Sequence, residues 1–102
     1  MSFADHLAAS RRLALLRLLV ENEGSANESV LRTGLAQLGF GGRLGTVEAV
    51  RVDIKFLAER GLAKEDWYGG KVLVASITKR GVAFTRRETE EIEGIEYPDL
   101  GV

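Results

Sequence analysis

The chain contains no cysteine, one histidine and one proline among its 102 residues. The absence of cysteine excludes disulfide bonds and thiolate metal ligands, and with them the disulfide-rich secreted scaffolds. His6 alone, with acids scattered along the chain, does not make a metal site. We therefore predict no bound metal and no cofactor, and a reducing, cytoplasmic location fits this composition.

Long apolar runs are also absent. No stretch approaches the ~20 apolar residues needed to cross a bilayer, so we predict no membrane partner. The opening MSFADHLAASRRLALLRLL has its arginines in the middle and no small-residue cleavage site after its apolar part, which indicates a helix of the fold and not a secretory signal. With 45% hydrophobic and 28% charged residues, the composition is that of one soluble globular domain.

Basic residues are absent from the end of the chain. Residues 88–102 contain six acids and no base, whereas residues 1–87 contain all 14 Lys and Arg against 9 Asp and Glu. The formal net charge of −1 therefore divides into +5 for the body and −6 for the tail. We predict a folded domain over 1–87 and an extended acidic arm over 88–102. The arm could cover the basic body, act only as a solvating tail, or dock on a neighbouring subunit through Ile92, Ile95, Tyr97 and Leu100.

The sequence predicts four helices separated by polar or glycine-rich segments. Among these segments, NEGSAN over 22–27 and GFGGRLG over 39–45 are predicted to be loops. Each helix follows a residue whose side chain can cap it, and apolar residues recur at helical spacing in the first three. Ser2 and Asp5 resemble a capping box before the first helix, which runs from Phe3 to about Glu21. The others run from the Asn27 cap to about Leu38, from the Thr46 cap to Arg60, and from the Thr78 cap to about Arg87.

The first helix has more apolar surface than a small domain needs from it. Its main stripe is accompanied by a second group on the far side, which consists of Leu13, Leu16 and Val20. Two interpretations stay open: the helix is buried all round by its own chain, or the second group meets a second copy of the chain. The second interpretation predicts a homodimer.

Two strands joined by a glycine turn are predicted before the last helix. If residues 69–70 form a two-residue primed turn, Tyr68 pairs with Lys71 and Trp67 pairs with Val72. This register places the Trp67 side chain with Val72 on the outer face of the hairpin. We expect the indole to be covered by its own chain or buried in a dimer, and stacking on a nucleobase is the least favoured of the three.

This order of elements resembles a winged helix-turn-helix domain. The resemblance is carried by VRVDIKFLAERGLA over 50–63 and VLVASITKRG over 72–81, and it extends over about residues 10–87. More narrowly, SFADHLAASRRLALLRLL, NESVLRTGLAQLG and the hairpin are similar to short winged-helix proteins encoded in Mu-like prophages, often labelled arsenical-repressor-like regulators. The resemblance implies an α+β, mostly helical fold with three helices, a two-stranded hairpin wing, a short C-terminal helix and an extended arm. Metal sensing does not carry over, because the chain lacks the ligands for it.

The resemblance also implies a surface that binds double-stranded DNA. The helix from Thr46 to Arg60 would be the recognition helix, with its exposed N-terminal part in the major groove. Arg51 would bond a guanine edge bidentately, and Lys55 would reach a base or a phosphate. The remaining implied contacts are Glu48 on a cytosine amine, Arg43 with Thr46 at the helix N-terminus, and Tyr68 with Lys71 on the DNA backbone or minor groove.

Two functions therefore stay open. One is a DNA-binding, transcriptional regulator-like protein of phage or prophage origin, and the other is a winged-helix module that holds a protein partner in phage replication or assembly. An enzyme is not predicted, because no nucleophile is paired with a base. The homodimer interface of the DNA-binding protein is predicted at Leu13, Leu16, Val20 and Trp67.

The charge pattern offers a way to separate the two functions. A continuous basic patch on one exposed side would favour DNA, whereas a broken patch beside exposed apolar side chains would favour a protein partner. In the second case Glu48, Arg51 and Lys55 are a solvated helix face and nothing more. The residues expected to converge for DNA binding are Arg43, Arg51, Lys55, Tyr68 and Lys71.

Overall fold

The computed structural model describes residues 2–100, and within this range the chain forms four α-helices and a three-stranded antiparallel sheet. The predicted α+β, mostly helical class is therefore confirmed. A 3₁₀ turn, Gly42–Gly45, lies between the second and third helices. In chain order the elements are α1 Phe3–Glu21, β1 Ser25–Asn27, α2 Glu28–Gln37, α3 Val47–Glu59, β2 Ala63–Tyr68, β3 Val72–Ile77 and α4 Lys79–Thr85.

Each α-helix begins where a side chain caps it. An oxygen of the capping side chain accepts a hydrogen bond from the backbone N–H three residues later, which satisfies one of the free donors of the first turn. At α1 the Asp5 carboxylate also accepts from the Ser2 N–H, which completes the predicted capping box. The predicted caps are confirmed at Ser2, Asn27, Thr46 and Thr78.

The prediction of a loop over 22–27 is wrong in its second half. Ser25–Asn27 form β1, which pairs antiparallel with β3 so that Ala26 lies opposite Ala75. The strand order is β1-β3-β2, so β3 is the central strand. A three-residue strand is too short to show an alternating pattern of apolar and polar residues. Because polar residues flank Ala26 on both sides, the segment looks like a loop in the sequence.

The hairpin turn is at the predicted place, but the strand register is not the predicted one. Gly69 and Gly70 both have positive φ, and the Lys71 N–H donates to the Tyr68 carbonyl oxygen at 3.1 Å. Tyr68 nevertheless pairs with Val72, because Lys71 remains as an extra unpaired residue after the turn. The pairing is therefore shifted by one residue from the two-residue hairpin that we predicted.

The shifted register moves Trp67 to the other face of the sheet. Trp67 lies opposite Leu73, which is fully buried, and not opposite Val72. Directly opposed residues share a face, so the indole points to the helical side of the hairpin, where the guanidinium carbon of Arg51 lies 4.9 Å from the ring centroid. The predicted position of Trp67 on the outer face is wrong.

The α1 helix is enclosed by its own chain. It packs against α2, α3, α4, β1 and β3. Leu13 is 2% exposed and Leu16 is fully buried, so neither can reach a second copy while the domain is folded. Their prediction as dimer-interface residues is wrong, because the far side of α1 is covered by other elements of the same domain. Val20 remains 44% exposed.

The acidic arm packs on its own chain as far as Pro98, which is buried, and residues 101 and 102 lie outside the described range. Ile95 is buried, and the Tyr97 ring lies edge-on to Phe84 at 5.7 Å between centroids. The Glu96 N–H donates to the Ala9 carbonyl oxygen at 3.2 Å. These contacts place the arm on α1 and α4, where Ile92 and Tyr97 also pack against the core. Leu100 remains exposed.

Candidate nucleic-acid interface

The α3 helix presents one buried and one exposed face. The apolar residues of its buried face are Val50, Ile54 and Leu57, each of which is fully buried in the core. The side chains on its exposed face recur at helical spacing, and they include two acids but a single base, so this face is not basic as a whole. The exposed face consists of Glu48, Val52, Lys55 and Glu59.

Arg51 lies at the edge of this face and is held by a carboxylate from α2. Its Nε donates to Glu28 Oε2 at 3.0 Å, and its Nη2 donates to Glu28 Oε1 at 2.7 Å. This is the bidentate geometry in which arginine binds a carboxylate most strongly. The Arg51 side chain is 37% exposed and that of Glu28 is 12% exposed. The guanidinium is thus oriented by the protein before any ligand arrives.

The same pair is attached to the hairpin. The Leu73 N–H donates to Glu28 Oε2 at 3.1 Å, and Arg51 Nη2 donates to the Lys71 carbonyl oxygen at 3.3 Å. Trp67 stacks on the same guanidinium from β2. Helix α2, helix α3 and the hairpin are therefore joined at one point, which we call the Glu28–Arg51 clamp and define as Glu28, Arg51, Trp67, Lys71 and Leu73.

Both members of the ion pair are charged at neutral pH. The hydrogen bonds from Arg51 are the largest influence on Glu28 and hold its pKa below the usual value, while burial acts in the opposite direction and the Leu73 N–H lowers it further. The same hydrogen bonds raise the pKa of Arg51. Glu28 and Arg51 therefore form a charged ion pair within the clamp, and the Glu28 carboxylate largely neutralises the charge of Arg51.

The ion pair predicts an acid-dependent component of stability. Because the Glu28 pKa is lower in the folded chain than its ordinary value of 4.5, its contribution is complete above that value and is lost as the pH falls through the folded pKa. We expect the difference in free energy of unfolding between wild type and Glu28→Gln to be constant from about pH 8 to pH 5 and to shrink below about pH 4.5. Urea titrations across this range measure it, and a difference that grows on acidification would contradict the pairing.

The other predicted DNA-contact residues lie around the clamp or on neighbouring elements. Arg43 is exposed in the 3₁₀ turn that precedes α3, and the Thr46 hydroxyl is occupied as the α3 cap. Tyr68 and Lys71 are exposed at the end of the hairpin. The structure brings the Arg51 side chain into contact with the backbone carbonyl oxygen of Lys71. It places Glu48, Arg51 and Lys55 along the same helix.

Two ionic clusters were not predicted from the sequence. Glu28 lies in the first turn of α2, and its partner Arg51 lies 23 residues later in the chain. Asp53, fully buried on α3, binds Arg11 and Arg12 of α1. The position of Asp53 close to the apolar stripe of α3 is the one sequence signal that could have indicated a buried acid. Nothing in the sequence indicates that Glu28 pairs with Arg51.

No helix within residues 2–100 is both long and apolar enough to cross a membrane. In the same range, no three residues of the types His, Cys, Asp and Glu are grouped so as to hold a metal ion.

Comparison with known proteins shows one family to which the chain belongs. No protein-family model and no solved structure matches the chain. A Haemophilus influenzae protein that carries the description "Uncharacterized protein" is 33% identical over 87 residues, which cover 85% of this chain and 82% of that protein. The chain belongs to the same family as this Haemophilus influenzae protein. The description of the Haemophilus influenzae protein assigns no activity to it.

Proposed function

We propose that this protein is a winged-helix protein of phage or prophage origin that binds double-stranded DNA as a homodimer and acts as a transcriptional regulator. The order helix, short strand, two helices and hairpin supports this proposal, because in helix-turn-helix proteins the second helix of the pair enters the major groove. The observation that carries it is the joining of α3 to the hairpin through the clamp, together with the exposure of Val52 and Lys55 on α3.

In this proposal the exposed cations Arg43, Lys55 and Lys71 contact phosphates. Arg51 differs from them, because its hydrogen bonds to described residues use Nε and Nη2. Nη1 is then the nitrogen that can reach a guanine edge, so Arg51 would donate from one nitrogen and not in the bidentate manner first expected.

The proposed dimer interface is narrower than the sequence predicted. With Leu13 and Leu16 in the core, Val20 and Trp67 are the remaining members of the predicted set. An open groove of about 480 Å³ lies between the end of α1 and α2, and its lining includes Leu18, Glu21 and Val30. We propose this groove as the contact with the second copy. A sedimentation profile of a monomer at all concentrations would contradict the dimer.

A salt titration tests DNA binding. Three phosphate contacts per subunit predict a log–log slope of affinity against salt of about −5 for a dimer and about −3 for a monomer, measured by anisotropy with a labelled duplex of about 30 base pairs between about 50 and 200 mM salt. The triple variant Arg43→Ala, Lys55→Ala, Lys71→Ala should abolish this binding. The control variant Arg17→Ala, Lys79→Ala, Arg86→Ala removes the same charge from other exposed positions and should retain most of it.

A protein-interaction module is the second candidate function. It is favoured by the mixed charge of the exposed α3 face and by the exposure of Trp67, Tyr68 and Val72 at the hairpin. Trp, Tyr and Arg are the residue types that dominate binding energy in protein interfaces. If the folded protein binds no duplex even at about 50 mM salt, DNA binding fails and this module becomes the better proposal.

A further inference from the structure

Glu28 occupies a particular place in the sheet. Strand β1 ends at Asn27, which lies opposite Val74, so the next pair in the same register would be Glu28 and Leu73. The chain turns into α2 at that point, and the Glu28 side chain, not its backbone, accepts the Leu73 N–H. The carboxylate therefore replaces the missing strand partner of a buried residue, and this fixes the hairpin to the start of α2.

The same carboxylate restricts Arg51. Two hydrogen bonds to Glu28 and one to the Lys71 carbonyl oxygen hold the guanidinium, with the Trp67 ring on its face. An arginine fixed in this way loses less side-chain freedom when it meets a base than a free arginine does. Because its charge is already paired, it also adds little to the attraction that any phosphate backbone exerts.

We propose that Glu28 is a specificity-determining positioning residue, which directs Arg51 toward a base edge and suppresses its use as a general phosphate contact. This inference rests on the proposed DNA-binding function and deepens it. Glu28 does not touch DNA in this arrangement; it acts through Arg51 and through the hairpin. The expected signature is a loss of sequence preference together with a gain in sequence-independent affinity when the carboxylate is removed.

The test compares Glu28→Gln with wild type in two DNA assays. With a labelled random-sequence duplex of about 30 base pairs, Glu28→Gln should bind more tightly, and its log–log salt slope should steepen by about 1 per subunit. In selection from a duplex library with about 20 randomised base pairs, the motif enriched by Glu28→Gln should lose its preference at one position per half-site. Arg51→Lys should lose the preference at the same position.

Glu59→Gln is the matched control. It removes the same charge from an exposed position of α3 at which we expect no DNA contact, so any effect of net charge alone should appear in it, but the enriched motif should not change. Glu28→Gln enriching the wild-type motif would overturn the proposal, as would wild-type protein that binds duplex DNA but enriches no motif. If Glu28→Gln loses DNA binding in both assays and also loses helical circular dichroism, the variant has unfolded. Arg51→Lys is then the test, and an unchanged motif in Arg51→Lys would overturn the proposal.

A readout without DNA separates this inference from the proposed function. Hydrogen exchange of the Leu73 amide should be roughly tenfold faster in Glu28→Gln than in wild type, and unchanged in Glu59→Gln. Faster exchange with no duplex binding by wild type would show that the clamp exists but that the DNA-binding function fails, which also overturns the specificity role. Unchanged exchange would show that the carboxylate does not hold the hairpin.

Discussion

Replacing Asp53 with alanine is expected to lower the free energy of unfolding by about 3–5 kcal/mol, because it leaves two guanidinium groups with little access to water and no counter-charge. The Asp53 carboxylate is fully buried, and the side chains of Arg11 and Arg12 are only 13% and 16% exposed. Arg11 binds it through Nε and through Nη2, the latter at 3.1 Å, and Arg12 binds it through Nε at 3.1 Å. One carboxylate thus holds Arg11 and Arg12 of α1 against α3.

The loss would extend to the acidic arm. Arg12 Nη1 also donates to the Gly94 carbonyl oxygen at 2.9 Å, and its guanidinium carbon lies 3.8 Å from the centroid of the Phe56 ring. Arg12 therefore joins α1, α3 and the arm, and it is oriented by Asp53. In the Asp53→Ala variant we expect the arm to become more accessible to protease than the rest of the domain.

Urea unfolding followed by circular dichroism measures the change, and the same helix supplies the control. Glu59 is exposed, and its carboxylate lies 4.0 Å from the nearest nitrogen of Arg60. Glu59→Ala should stay within about 0.5 kcal/mol of wild type. An Asp53→Ala variant that also stays within about 1 kcal/mol would mean that the two arginines find other partners or water without cost, and that the cluster does not hold α1 on α3.

Local chemistry in the sequence was sufficient to predict the helices. Caps such as Asn27 and Thr46 act over three residues, and the apolar stripe of α3 repeats within one helix, so both are visible without a fold. Asp53 shows the limit of this approach. Its position beside the α3 stripe is visible in the sequence, but its partners are 41 and 42 residues away, and only the packing of α1 on α3 brings them together.

The prediction of the hairpin register was wrong for a related reason. A glycine pair with positive φ fits a turn with or without an extra residue after it, so the turn chemistry could not distinguish the two registers. The observed register keeps Leu73 and Ala75 on the buried face and leaves Val74 opposite Asn27 of β1. Because β1 was not predicted, the clamp at Glu28, which depends on both β1 and this register, could not be predicted either.

A second large effect is expected at the base of the hairpin. Gly81 belongs to α4 and is buried; a Cβ at this position would lie 2.2 Å from the Leu62 carbonyl oxygen and 2.6 Å from Ile77 Cγ1. The Leu62 oxygen is backbone and also accepts the Thr78 N–H at 3.1 Å, so it cannot move away without breaking that bond. We expect Gly81→Ala to destabilise the domain by about 3 kcal/mol, at the upper end of the range for overpacking.

The surroundings of Gly81 explain why the cost should be large. The Thr78 hydroxyl donates to the Gly61 carbonyl oxygen at 2.7 Å and accepts the Gly81 N–H at 3.0 Å. The Thr78 hydroxyl therefore connects the segment that follows α3 to the first turn of α4, at the point where the hairpin ends. A methyl group at 81 can be accommodated only if α4 moves off Leu62, and this also breaks the α4 cap.

Thermal and urea unfolding of Gly81→Ala and Gly41→Ala provide the comparison. Gly41 has a φ of −91°, and a Cβ there would lie no closer than 3.5 Å to any neighbour, so Gly41→Ala makes the same chemical change without a clash. It should remain within about 0.5 kcal/mol of wild type. Equal stability of the two variants would mean that α4 can shift at no cost. The glycine of the ITKRG segment would then be dispensable, and the close approach of α4 to the hairpin base would not contribute to the fold.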